Sequence, residues 1–227
     1  MLTLLDPVIA GEGEPPSGLG ADHPMRQITR AVAFEPDGWT EERRRQVVEL
    51  FDAMAGEWNT REVPGREAPL LDALHRGLDH APELEHRVAI DIGAGTGLFV
   101  QELADRFPQL YAVDISGEML RHAPAEPALR IQADASGLPV ADGSVDAFVL
   151  VNCFLFPAEV ERVLAPHGAV VWVNSRGADT PIHLTADEVD RALPGDWDGV
   201  ASTAGWGTWS VHWRAGGAPS SRARLGA

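Results

Sequence analysis

The segment Val88-Ala-Ile-Asp-Ile-Gly-Ala-Gly-Thr-Gly97 constrains the fold more than any other stretch of the chain. Its first residues read as a buried strand, and its glycines as a turn that opens a helix. Glycine lets backbone approach a ligand where a Cβ would clash. A second acid, Asp114, closes another apolar run, Leu110-Tyr-Ala-Val113. An acid about twenty residues beyond a glycine turn is the spacing of a strand–helix–strand unit that grips a nucleoside, with the acid on the ribose hydroxyls. Asp91, two residues before the first glycine, narrows the ligand further. A carboxylate there repels a pyrophosphate and suits a ligand carrying a sulfonium and an ammonium group.

The following segments agree in order. Ile131-Gln-Ala-Asp-Ala135 is a short strand ending in a carboxylate, followed by the loop Ser136 to Gly143. Val145 to Val151 is a strongly apolar strand ending at Asn152, and Arg162 to Gly168 leads into Ala169-Val-Val-Trp-Val173. Strands are expected near 88–92, 110–114, 129–133, 145–151 and 169–174, with helices between them. That alternation implies a parallel sheet covered on both faces. Trp197 to Arg214 reads as two strands joined near Gly205 and Gly207. In the second of them, Trp209, Val211 and Trp213 alternate with Ser210, His212 and Arg214.

From Glu85 to Ser175 this succession resembles the class I S-adenosylmethionine (SAM)-dependent methyltransferases, in particular the small-molecule branch with the ubiquinone/menaquinone-type enzymes. The resemblance implies an α/β fold: a Rossmann-like three-layer α/β/α sandwich around a seven-stranded, mostly parallel sheet. Its last strand is inserted antiparallel, and helices extend the N-terminus. It implies SAM as the cofactor. Gly93, Ala94, Gly95 and Gly97 would shape the turn beneath the methionine and ribose, and Asp91 would help hold the amino group. Asp114 would take the ribose hydroxyls, Ile115 would lie against adenine, and Asp134 beside Ala135 would accept from the adenine amino group. Asn152 would line the methionine end. One departure concerns the stretch between Asn152 and Gly168, which leaves room for only two or so helical turns after Pro157.

Upstream, Thr40 followed by Glu41 and Glu42 is a plausible helix start. Val47, Phe51, Met54 and Trp58 recur at helical spacing. A second helix is expected around Pro69 to Leu78. Phe51 and Trp58 are lid candidates on the resemblance, and Cys153 is a substrate-side candidate because it follows the fourth strand. Seven tryptophans invite cation–π readings, yet Trp172, Trp209 and Trp213 lie within strands and read as core. Among the eight histidines, His183 follows the fifth strand and is the candidate general base, with an ordinary pKa suited to neutral pH. Residues 1–25 read as a disordered tail, 26–84 as a helical lid extension, 85–214 as the methyltransferase core and 215–227 as a flexible tail.

Composition removes several alternatives. A formal net charge of -16 argues against a nucleic-acid footprint, which needs a basic surface. The acceptor is therefore expected to be a small molecule. All 18 basic residues are arginine, so lysine Schiff-base chemistry is impossible. With Tyr111 as the single tyrosine, a Tyr–Lys catalytic pair is impossible too. One cysteine cannot make an internal disulfide or a thiolate cluster, and no histidine–carboxylate spacing resembles a metal site. The apolar windows are too short for a membrane span, and the N-terminus lacks the basic start of a signal peptide. A cytoplasmic protein is expected; a protein partner or homo-oligomer is not indicated. A nicotinamide oxidoreductase would want glycine where Leu98 stands. A SAM-binding sensor or partner subunit without catalysis is the rival reading, and a broad acceptor panel discriminates it.

Overall fold

The structure, a computed structural model, describes residues 1–14, 23–60 and 65–217. Every residue of Val145–Val151 is buried, as a central strand covered on both faces requires. This strand, β6, pairs in parallel with β3 (Val88–Ile92) on one side and β7 (Leu164–Asn174) on the other. Beyond β3 lie β4 (Gln109–Asp114) and β5 (Leu129–Gln132), also parallel. Beyond β7, β9 (Gly207–Arg214) runs antiparallel between β7 and β8 (Trp197–Gly205). The seven strands thus stand in the order β8-β9-β7-β6-β3-β4-β5. This is the expected Rossmann-like arrangement, antiparallel last strand included.

Helices α4 (Val100–Ala104), α5 (Gly117–His122), α6 (Pro157–Val163) and α7 (Ala186–Ala192) alternate with these strands. One face of the sheet packs Leu70, Leu74 and Leu78 together with Val100, Leu103 and Phe107. The other packs Val160, Val163, Leu184, Val189 and Leu193. The short α6 matches the compact segment expected after Asn152.

The N-terminal region differs from the expected tail. Leu2–Leu4 (β1) and Ile9–Ala10 (β2) both pair in parallel with β8, so the sheet has nine strands among the described residues. The pairing is between segments nearly the whole chain apart, and nothing local in the sequence announces it. Helix α1 (Pro24–Phe34) begins just inside the segment assigned to that tail. Residues 15–22 lie outside the described residues, as do 218–227; Ala215–Gly217 forms a short turn at the C-terminal end.

The expected N-terminal helix is α2 (Glu41–Met54), with Thr40 Oγ1 accepting from the Arg43 amide and Glu41 and Glu42 in the first turn. A tighter 3-10 segment, Ala55–Thr60, carries the chain on through Trp58. The second expected helix is α3 (Ala68–Asp72), which widens and then tightens as it continues to His80. Among the described residues, no helix is long and apolar enough to cross a membrane.

Candidate cofactor site

Three carboxylates mark the carboxyl ends of three adjacent strands. Asp91 lies within β3 and Asp114 ends β4, while Asp134 follows β5 by two residues. In open α/β sheets this edge is where ligands bind. Asp91 is 2 % exposed. Burial, with the nearby Asp114 charge adding to it, pushes its pKa up to about 7. Asp114 is 8 % exposed, and burial raises its pKa as well. Its two oxygens accept from the Ser116 and Gly95 amides, each at 2.8 Å. The second of these bonds folds the glycine turn back onto β4.

Gly93, Gly95 and Gly97 all have positive φ, between 57° and 73°, a region that L side chains adopt only with strain. A Cβ on Gly93 would stand 2.5 Å from Cys153 Sγ, so Cys153 packs directly against the turn. Burial drives the Cys153 thiol pKa far up, and at neutral pH it is a protonated packing group. Gly95 is different: the nearest atoms to a Cβ there are 3.9 Å away, and one of them is Trp58 Nε1. At Gly95 a Cβ would meet only ordinary contacts, and the buried acids beside the turn suit a cationic ligand of the SAM type.

The lid candidates lie over this edge. Phe51 and Trp58 meet edge to face at 5.8 Å. Asp52 accepts from Ser116 Oγ, and Asn59 Oδ1 accepts from Thr96 Oγ1. Trp39 Nε1 donates to both oxygens of Asp134, at 3.1 and 3.0 Å. Ala135 joins the same apolar cluster as Trp39, Phe51 and Val47. The Ile115 carbonyl accepts from Gln132 Nε2 at 3.3 Å.

Asn152 does something its sequence position did not reveal. It sits at φ 52°, a left-handed conformation that asparagine tolerates better than most residues. Its side chain donates to Ser175 Oγ and accepts from the Ser175 amide, both at 2.8 Å. Asn152 therefore braces the end of β6 against the end of β7.

His183 belongs to a different neighbourhood. Its Nδ1 lies 3.4 Å from an Arg26 guanidinium nitrogen. Arginine can only donate, so Nδ1 is the acceptor and the neutral ring carries its proton on Nε2. Burial, then the Arg26 charge, lowers its pKa. It lines a half-open cavity of about 290 Å³ together with Leu4, Trp172, Asn174, Thr208 and Ser210. The structure thus groups His183 with Arg26 and this cavity.

Trp39, Asp52 and Asn59 escaped the sequence reading. Each lies in or beside α2, and only the fold brings them to the cofactor loops.

Comparison with known proteins agrees with this geometry. A family profile described as a methyltransferase domain matches residues 90–172. A malonyl-(acyl-carrier protein) O-methyltransferase of Dechloromonas aromatica is 30 % identical over 190 residues, covering 76 % of this chain and 70 % of the relative. A demethylmenaquinone methyltransferase of Corynebacterium urealyticum is 33 % identical over 162 residues, covering 66 % of this chain and 69 % of the relative. The biotin biosynthesis bifunctional protein BioHC of Cellvibrio japonicus is 35 % identical over 172 residues; the match takes in 71 % of this chain but only 33 % of that larger protein. In fold, the chain superposes on the DhpI–SAH complex structure with a TM-score of 0.60 at 18 % identity, covering 78 % of this chain and 98 % of that one. The chain belongs to the class I SAM-dependent methyltransferases.

Proposed function

We propose that this chain transfers the methyl group of SAM to a small-molecule acceptor by in-line displacement, with Asp91, Asp114 and Asp134 holding the cofactor. The observation that carries this reading is the row of three carboxylates at or just beyond the ends of β3, β4 and β5, with Asp114 holding the glycine turn against β4. SAM supplies an already activated methyl carbon. What the chain must add is alignment of the nucleophile and exclusion of water. Asp114 presents two acceptors for a diol, and Asp91 meets the ammonium group. Gly93, Ala94, Gly95 and Gly97 keep backbone close beneath the ligand. Asp134 and Ala135 face the adenine, with Ile115 on its flank. Asn152 fixes the ends of β6 and β7, while Phe51, Trp58 and Cys153 border the methyl side.

No proton-abstracting step is assigned to His183. Its Nδ1 lone pair faces Arg26, and the acceptor is taken to arrive with its nucleophilic electron pair available. The relatives' names put malonyl-(acyl-carrier protein) and demethylmenaquinone first on the panel of acceptors to try. A cytoplasmic site of action fits a protein that uses SAM.

Calorimetric titration with SAM, with S-adenosylhomocysteine (SAH) and with NAD tests the cofactor assignment. Micromolar binding of the first two and none of NAD is expected; no binding of SAM or SAH would sink the reading. Methyl transfer from labelled SAM across the panel then separates an enzyme from a SAM-binding subunit, which would bind and never turn over.

A further inference from the structure

We propose that Trp39 is an internal surrogate for the adenine ring, occupying the Asp134 end of the cofactor site until the cofactor displaces it. The proposal rests on the reading of Asp134 as the adenine acceptor. The indole is a flat bicycle with one N–H donor, the same kind of group as the adenine amino edge. That N–H is bifurcated between Oδ1 and Oδ2 of Asp134 at 3.1 and 3.0 Å. The Ser136 amide takes a further site on Oδ1 at 2.9 Å, and Arg44 stands 3.7 Å from Oδ2. An N–H shared by both oxygens approaches through the front of the carboxylate, where a base amino group would otherwise come in. The indole is held there by Phe154 and Phe156, at centroid separations of 5.6 and 5.5 Å.

The rest of the segment is latched to the same machinery. Asn59 holds Thr96 in the glycine turn, and Asp52 holds Ser116 in the loop after β4. With Trp39 on Asp134, each of the three loops that follow β3, β4 and β5 carries at least one polar contact from residues 39–59. The segment that makes these contacts is anchored mostly through partly buried side chains. Of α2 only Val47 is buried, and of the turn after it only Ala55. Lifting it parts Trp39 and Phe51 from the Phe154–Phe156 cluster and breaks these polar contacts, so the closed form is the favoured one and opening has a free-energy cost. A cofactor that must wait for this opening binds with an affinity reduced by the open fraction.

The test is SAH affinity by calorimetry in Trp39→Phe and Trp39→Ala. Phenylalanine keeps a ring among Phe154 and Phe156 but cannot donate to Asp134. Losing a hydrogen bond to a carboxylate from the closed form is a change of up to roughly ten- to a hundredfold, so both variants are expected to bind SAH tighter than the wild type, alanine the more so. Equal or weaker binding overturns the proposal and makes Trp39 a supporting wall of the site. Asp134→Ala, made in the Trp39→Ala background where no indole competes, checks the underlying reading. Weaker SAH binding there is expected. If it stays weaker while Trp39→Ala alone also weakens binding, the reading of Asp134 stands and the surrogate falls. If Asp134→Ala changes nothing there, both fall. A second readout needs no change at position 39 in the protein measured. In 5-fluorotryptophan-labelled wild type, the fluorine resonance missing from Trp39→Phe must shift when SAH is added; an unmoved resonance overturns the proposal.

Discussion

Asp91 and Asp146 are both buried acids on adjacent parallel strands, 2 % and 6 % exposed, yet they face opposite ends of the sheet and do opposite work. Asp146 lies at the start of β6, where its Oδ2 accepts from the amides of Arg87 and Val88 at 3.0 and 2.9 Å. It fastens the entry to β3. Asp91 lies near the other end of β3, beside the raised carboxyl of Asp114. Burying two acids side by side is unfavourable unless a counter-charge arrives. Asp146 is satisfied by amides of the chain itself, whereas at the other end Asp91 and Asp114 crowd two buried acids together.

The largest test of this contrast is Asp114→Ala. Removing a charged, hydrogen-bonded contact to the ligand is expected to weaken SAM and SAH by on the order of 1.5–3 kcal/mol. Calorimetry reads this directly, and unchanged affinity would count heavily against the cofactor site. Asp146→Ala probes the opposite end. It leaves two backbone donors of the Arg87–Val88 entry without their acceptor, a loss of about 1–3 kcal/mol in folding stability. Urea denaturation should show it, while SAH affinity stays within about twofold, since a change away from the ligand and its loops has little to couple through. A matching loss of affinity would erase the distinction between the two ends.

The difference also explains what the sequence discloses. Asp91, the glycines and Asp114 sit within a few residues of one turn or at a strand end, so periodicity and spacing locate them. The same holds for β3, β4, β6 and β7, which carry continuous buried runs, while β5, with no buried residue, is located by its place in the alternation. Asp146 is invisible for the opposite reason: within an apolar run it looks like a flaw, and its partners are 58 and 59 residues away. Asp72 is similar, since its acceptors serve Arg76 in the next turn but also Trp209, far along the chain. Leu2–Leu4 is too short to carry a pattern, and its partner strand lies at the other end of the sequence. Trp39 escaped because a tryptophan before a helix start reads as core until the fold sets it on Asp134.

The titration of Asp91 sharpens the comparison at a smaller scale. Its folded pKa of about 7 lies above the ordinary 3.8. The folded chain therefore holds this proton through a range where the unfolded chain has released it. Stability falls as pH rises from about 4 to about 7, by at most roughly 1.4 kcal/mol per pH unit, and this loss is complete above that window. Binding a cation beside Asp91 favours its ionised form, so SAH affinity should rise with pH up to about 7, no more than about tenfold per unit, and then level off. Asp114, raised by burial too, adds a slope of the same sign. Calorimetry on either side of pH 7, repeated in buffers of different ionisation enthalpy, reads both the slope and the released proton. In Asp91→Asn the slope should flatten, and a slope that survives there unchanged would remove Asp91 from the site.

The smallest expected effect belongs to His183. A general base contributes about 10²- to 10⁴-fold to a rate, and removing one leaves a mark in the pH profile. The imidazole here accepts from Arg26 through Nδ1, shares its cavity with Leu4 and Thr208, and has a pKa lowered by burial. Loss of one of Arg26's contacts and of cavity packing is all that His183→Ala should bring. The kcat of methyl transfer is expected to change by less than about tenfold, with the acid limb of its pH profile in place. A drop of about a hundredfold or more, with that limb gone, would make His183 the base after all and extend the working end of the sheet from β3 and β4 across to the loop after β7.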